Sequence, residues 1–182
     1  VAAPAFLFDP WDATLSVESL AKGGFYHAGP VCVSVQRVFA PASKARAFAQ
    51  ALAARAEKLR VGDPEQEDTE VGPLIRGAEV ERVAAWVTEA VDAGATQLCG
   101  GEKLPNNCYA PTVLLDPPPD AKVSTQEIFG PVVCVYSFED IEAALRLGDG
   151  NLSKAARLLG VNRTTLYSRV SRLGLAPPRE AD

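Results

Sequence analysis

From Asp12 to Tyr136 the apolar residues change spacing repeatedly: three or four apart in one stretch, alternating or contiguous in the next. Helical and strand patterns that alternate in this way restrict the segment to an α/β layer fold. Asp12 caps a helix over residues 12–28, with Ala13, Val17, Leu20, Ala21 and Gly24/Phe25 at helical spacing and Gly29-Pro30 as the stop. Val31 to Phe39 alternates and reads as loop into strand, with Val31, Val33 and Val35 on one face and Cys32, Ser34 and Gln36 on the other. Ser43 is expected to cap a second helix to about Leu59, striped by Phe48, Leu52, Ala56 and Leu59. The acidic stretch Val61 to Val71 is turn-rich. A third helix over 77–93 carries Val80, Val83, Ala84, Val87 and Val91, and Gly94 ends it. Short apolar runs follow at 95–99, 110–115 and 132–136, with Pro117-Pro118-Pro119 turning between the last two. After Phe138 the pattern is helical only, over 139–147, 152–159 and 163–173, so the fold class is an α/β domain followed by a small all-α unit.

A chain of 182 residues, 47% hydrophobic and 23% charged, is long enough for one domain and an appendage and is too apolar to be disordered. No apolar run approaches the roughly 18 residues that cross a bilayer, and the start lacks a basic segment ahead of an apolar one, so a soluble, cytoplasmic chain is expected. Four scattered cysteines and a single histidine form no metal-ligand pattern, which leaves reduced thiols and no metal as the expectation. There is no Met; Val1 either follows a removed initiator or belongs to a longer protein. Charge is divided unequally: residues 151–182 hold six Lys/Arg against two acids, a balance of +4, whereas the first 150 hold 12 against 21, a balance of −9. A basic tail on an acidic body points to a polyanionic partner for the tail.

Cys32 follows the first helix in Phe25-Tyr26-His27-Ala28-Gly29-Pro30-Val31-Cys32. Taken alone, a cysteine among valines reads as a small buried hydrophobe. Four stretches together say more. Phe25…Gly29-x-x-Cys32 with Arg37, then Gly72-Pro73-Leu74-Ile75, Ala110-Pro111-Thr112-Val113-Leu114 and Glu127-Ile128-Phe129-Gly130-Pro131-Val132 stand in one order along the chain. In these motifs residues 3–143 resemble the catalytic domain of the aldehyde dehydrogenase superfamily, a parallel-type sheet flanked by helices. The resemblance implies that Cys32 is the thiol nucleophile toward an aldehyde, forming a thiohemiacetal from which hydride passes to NAD(P). It also implies that Glu127 holds a ribose hydroxyl at the nicotinamide end and that Phe129 packs near that ring. Proline at position 30 departs from the family's Gln or Glu. The family's general base (a glutamate in a Glu-Leu-Gly-Gly stretch), its oxyanion-hole asparagine and its dinucleotide-binding domain all lie upstream of the segment that Val1 matches. The resemblance therefore implies a truncated catalytic domain over 1–143 with the nucleophile but without general base or complete NAD site. Reactive-thiol or weak esterase chemistry is the activity expected of it.

Residues 144–182 form the second expected module. Ala155, Ala156 and Leu159 face inward, Gly160 supplies a tight turn, Asn162 caps the next helix, and Leu166, Val170 and Leu173 make that helix's buried stripe. Two helices joined by a short glycine turn have the helix-turn-helix pattern. Over 144–175 it resembles the Fis-type DNA-binding motif, carried by Gly150-Asn151, Ala155-Ala156, Leu159-Gly160, Asn162-Arg163-x-Thr165-Leu166 and Gly174-Leu175. The DNA-contacting set read from it is Lys154, Asn162, Arg163, Thr164, Thr165, Tyr167, Ser168, Arg169 and Arg172, the second helix leading with its N-terminus into the major groove of double-stranded DNA. Such modules bind as dimers, and a lone half-site reader binds weakly and salt-sensitively. Three readings stay open at this level: a DNA-binding regulator, which leads; an aldehyde dehydrogenase or thiol acyl-transferase piece acting through Cys32; and a junction of two gene segments.

Overall fold

Asp12 opens the first helix as its sequence suggests: it takes an extended conformation and its carboxylate accepts from the Leu15 N–H at 2.9 Å. The helix it caps, α1 (Ala13–Phe25), buries Val17, Ala21, Gly24 and Phe25, and a single 3₁₀ turn over Tyr26–Ala28 follows. The computed structural model describes residues 5–7, 12–28 and 34–138 and, further on, Leu152, Ser153, Ala156, Arg163, Thr164, Leu166 and Tyr167. The chain separates into two compact units, Val1–Ser137 and Phe138–Asp182.

In the first unit the strands are β1 (Ala5–Phe6), β2 (Arg37–Pro41), β3 (Thr96–Cys99), β4 (Thr112–Leu115) and β5 (Val132–Phe138). They form one five-stranded sheet in the order β1-β2-β5-β4-β3. β1 runs parallel to β2 and β4 parallel to β5, with Thr112 opposite Val132 and Leu115 opposite Val135. Only β3 is shown antiparallel to its neighbour, and the pairing slips by a bulge between Gln97 and Cys99. All of β4 and the Val132–Val135 half of β5 are buried, which explains why they read as contiguous apolar runs instead of alternating ones. The sheet is thus the parallel-type α/β sheet expected, with an antiparallel edge that the sequence pattern does not distinguish.

Helices α2 (Ala42–Ala56) and α3 (Gly77–Asp92) supply the flanking layers, burying Phe48, Leu52 and Ala56 in one case and Val80, Val83, Val87 and Ala90 in the other. Gly94 takes φ +113° just beyond α3, the left-handed conformation that stops the helix. One expectation needs correction. Ser43 does not cap α2: β2 runs directly into the helix, Pro41 holds the cap position, and no side-chain cap bond forms there. The segment read as loop into strand enters β2 at Arg37, and the polar residues before it are buried, Ser34 at 8% exposure and Gln36 at 6%. After the triple proline comes a short helix, α4 (Lys122–Thr125).

Close packing sets one residue without latitude. A Cβ on Gly24 would lie 2.4 Å from Val133 Cγ2 and 3.1 Å from the Val35 carbonyl oxygen, so α1 can approach the sheet at this depth only without a side chain. Overpacking of this kind costs about 1–3 kcal/mol. Gly24→Ala is accordingly expected to lower the unfolding free energy by that amount, read as a lower urea midpoint with an unchanged m-value. An unshifted midpoint would show that the crossing of α1 over β5 is looser than described.

Candidate active site

The sheet brings two stretches of interest side by side. The first is the strand segment that follows Cys32. Cys32 itself lies outside the described residues, but both flanks of its loop are placed: Ala28 is buried with φ +57°, and the chain is described again from Ser34. The Val35 N–H donates to the Gly23 carbonyl at 3.0 Å, tying the start of the strand segment back to the last turn of α1. Gln36 then sends its main-chain carbonyl to the Cys134 N–H of β5 at 2.8 Å.

The second stretch is the loop 126–131 between α4 and β5, which carries Glu127 and Phe129. Glu127 is half-buried, and Phe129 presents its ring at 41% exposure from a backbone at φ +45°. A bulky residue in that region costs about 1–3 kcal/mol and persists only where its surroundings hold it. Here the holding groups are visible. Gln36 Nε2 donates to the Gln126 carbonyl at 2.8 Å and to the Val123 carbonyl at 2.9 Å, while its Oε1 accepts from the Ile128 N–H at 3.0 Å. From the other side the Arg82 guanidinium donates to the Ile128 carbonyl at 2.7 Å. Arg82 is itself fixed by Glu79, 2.7 Å away, and lies 4.7 Å from the centroid of the Trp86 ring. Gly130 completes the loop where a Cβ would come within 2.8 Å of Val83. Glu127 and Phe129 therefore stand on a rigid loop bonded directly to the strand that follows Cys32. The sequence pattern identifies neither Gln36 nor Arg82 as a site residue; the one available hint is a polar residue recurring between apolar ones in Val33-Ser34-Val35-Gln36.

The other thiols are placed unlike a nucleophile. Cys99, Cys108 and Cys134 are free and buried. Burial pushes the Cys99 thiol up to about 11, against a lowering bond from Val113, and Cys134 up to about 12, opposed by Tyr136 and Arg37. Burial raises Cys108 as well. Tyr136, whose hydroxyl donates to Ser124 Oγ at 2.8 Å, is raised mainly by burial and next by Cys134. No cluster of three or more His, Cys, Asp or Glu able to hold a metal ion occurs among the described residues. Nor is any described helix long and apolar enough to cross a membrane. A cavity of about 470 Å³ opens between α1 and the chain beyond α2, lined among others by Lys22, Phe25, Tyr26 and Val71. Arg55 ion pairs to Glu18 at 3.0 Å and Glu70 at 3.3 Å border it, and neither Glu127 nor Phe129 lines it.

In the second unit the described residues are helical. Leu152, Ala156 and Leu166 are buried there, whereas Arg163, Thr164 and Tyr167 are exposed, Tyr167 by 51%. Lys154, Asn162, Thr165, Ser168, Arg169 and Arg172 lie outside the described residues.

The profile of the aldehyde dehydrogenase family matches residues 1–162. A 3-sulfolactaldehyde dehydrogenase of Priestia aryabhattai is 39% identical over 134 residues, which is 74% of this chain and 28% of that protein. A betaine aldehyde dehydrogenase of Cereibacter sphaeroides is 34% identical over 173 residues, 93% of this chain and 36% of the relative. Among solved structures, aldehyde dehydrogenase 21 of Physcomitrella patens, in complex with the reaction product succinate, superposes with a TM-score of 0.73 at 33% identity, covering 80% of this chain and 30% of its own. The betaine aldehyde dehydrogenase of Staphylococcus aureus, in complex with NAD+, gives 0.73 at 30% identity over 85% of this chain and 30% of that one. The chain thus spans roughly a third or less of the length of the relatives it matches.

Native-state alkylation distinguishes the four thiols. Iodoacetamide at pH 7.5 is expected to modify one equivalent rapidly, found by mass on the peptide containing Cys32. Cys99, Cys108 and Cys134 should react only in denaturant. Raising the pH to 9 leaves Cys99 and Cys134 slow, because a thiol with a pKa of about 11 or about 12 is still protonated there. Equal rates at all four positions would refute the assignment of a distinct reactive thiol.

Proposed function

The chain belongs to the aldehyde dehydrogenase family, and we propose that it carries the thiol nucleophile and the nicotinamide end of that family's catalytic centre. The observation that supports this most directly is the bonding of the Glu127–Phe129 loop to the strand segment following Cys32 through Gln36, since nucleophile and hydride acceptor have to be held at a fixed separation. In this reading the Cys32 thiolate attacks an aldehyde carbonyl carbon. The C–S bond forms as the carbonyl π pair moves to oxygen, giving the oxyanion of a thiohemiacetal on the protein. NAD(P), which the family binds, supplies the hydride acceptor when present. Glu127 accepts a hydrogen bond from its ribose, and Phe129 packs at the nicotinamide ring. The half-buried carboxylate and the exposed ring, both on a loop already ordered, suit a group of that shape. Cys32 has the nucleophilic role in this reading, and Glu127 and Phe129 have positioning roles. Free thiols at all three described cysteines fit a reducing compartment, the cytoplasm.

The test is ester hydrolysis, which needs neither hydride acceptor nor aldehyde. Attack by the Cys32 thiolate on p-nitrophenyl acetate expels nitrophenolate and leaves an acetyl thioester that water cleaves. Cys32→Ser is expected to lower this rate by at least about 100-fold, whereas Cys99→Ser leaves it unchanged. Hydrolysis that persists in Cys32→Ser would refute the nucleophile.

A second reading concerns residues 144–182. The sequence pattern ranks DNA binding first; the family match, which runs to residue 162, reverses that order. What favours the reading still is the sidedness of the helical residues, with Arg163, Thr164 and Tyr167 exposed and Leu166 buried, together with the +4 balance of residues 151–182. Under it, Arg163 and Thr164 approach base edges of double-stranded DNA and the remaining bases neutralise phosphates. A gel shift that weakens steeply with salt, and disappears in Arg163→Ala with Arg169→Ala, is the expected result. A salt-independent shift, or one that survives the double substitution, would overturn it.

A further inference from the structure

We propose that Gln36 and Arg82 are positioning residues that clamp the Ile128 peptide from its two ends, holding Glu127 and Phe129 in place for the nicotinamide end of the cofactor; this deepens, and rests on, the function proposed above. The Ile128 N–H donates to Gln36 and the Ile128 carbonyl accepts from Arg82, so neither end of the residue between the two site positions depends on water. Gln36 is 6% exposed, and its carboxamide makes three bonds, to Val123, Gln126 and Ile128. Such a group, replaced by an apolar one, strands an N–H and two carbonyls at once.

Arg82 is equally committed. Its Nε bonds Glu79 and its planar group lies near the Trp86 ring, which leaves the NH2 group aimed at Ile128. Glu79 is held well ionised by hydrogen bonds first from Arg82 and then from Arg76, so the anchor stays charged through the neutral range. The two clamps come from different elements, the lead-in to β2 and the middle of α3, and meet at one peptide. Phe129 follows immediately in the left-handed region, a conformation that an unclamped loop would relax. The bonds therefore hold a strained, pre-ordered loop, and ordering it ahead of binding removes a cost from binding itself.

The experiment uses the whole chain with NAD+ and ADP as probes, and compares wild type with Gln36→Met, Arg82→Met and a packing control, Leu52→Ala. Amide exchange at Ile128 and Phe129 is expected to rise at least about tenfold in both clamp variants, with the amides of β4 unchanged. The NAD+ dissociation constant is expected to rise about tenfold, while ADP, which lacks both the nicotinamide and the ribose that carries it, binds as before. Leu52→Ala, though less stable, should keep the wild-type ratio of the two affinities. Should Gln36→Met fail to fold, Arg82→Met decides alone, since its side chain is partly exposed and leaves no buried donor behind. Unchanged Ile128 exchange overturns the clamp, and equal loss of both probes overturns its link to the nicotinamide end. A wild-type chain that binds no NAD+ while Ile128 remains clamped overturns the nicotinamide-end role proposed for Glu127 and Phe129 and leaves the clamp itself standing.

Discussion

A single buried carboxamide joins the parts of the sheet on which the site depends. The Gln36 main chain bonds β5 at Cys134, and its side chain bonds the end of α4 and the loop that leads into β5. The register of one strand is thereby passed to a loop that belongs to another. Since a buried amide with an unmet bond costs about 1–3 kcal/mol per group, partial satisfaction is not a stable alternative, and the arrangement forms as a whole. The parallel pairing of β4 with β5 places Val132 opposite Thr112 directly after the loop, so the loop is fixed at its far end as well.

Much of the fold is legible because its signals are local. Asp12 and the Val17, Ala21, Phe25 stripe define α1, and the valines of α3 followed by Gly94 define a helix and its stop. The misread elements are those decided by distant partners. Ser43 has the chemistry of a cap, but the preceding strand runs straight into the helix and leaves it inside the first turn. Val35 looks like the inward residue and Gln36 the outward one, until carbonyls 87 and 90 residues away are found to receive the Gln36 amide. The Phe129 backbone at φ +45° has no sequence signal, because an ordinary residue is forced there by bonds on its neighbour. Cys32, Glu127 and Phe129 are singled out by the motifs that contain them, not by propensity. In the second unit, sidedness at Arg163, Leu166 and Tyr167 follows from helical spacing alone.

Burial sorts the cysteines in a way that composition does not. Three identical thiols sit in or beside the antiparallel edge and the central strands, and desolvation disfavours the thiolate at each. Ahead of β2, the Val35 N–H is bonded to Gly23 of α1. The inertness of each described thiol is thus set by its burial.

The division of labour in the site follows from these constraints. Proton transfer needs a group whose pKa lies near the working pH, whereas orientation needs only groups that do not move. The described residues around the loop are of the second kind: an amide and a guanidinium that keep one protonation state, and a strained backbone that they hold. Arg82 could not be exchanged for lysine on equal terms, because a single ammonium offers no planar fork to divide between Glu79 and Ile128 while lying near Trp86. Nor could Gln36 become glutamate without placing a carboxylate against two carbonyl oxygens in a buried site. The loop is therefore specified by side chains with one acceptable chemistry each.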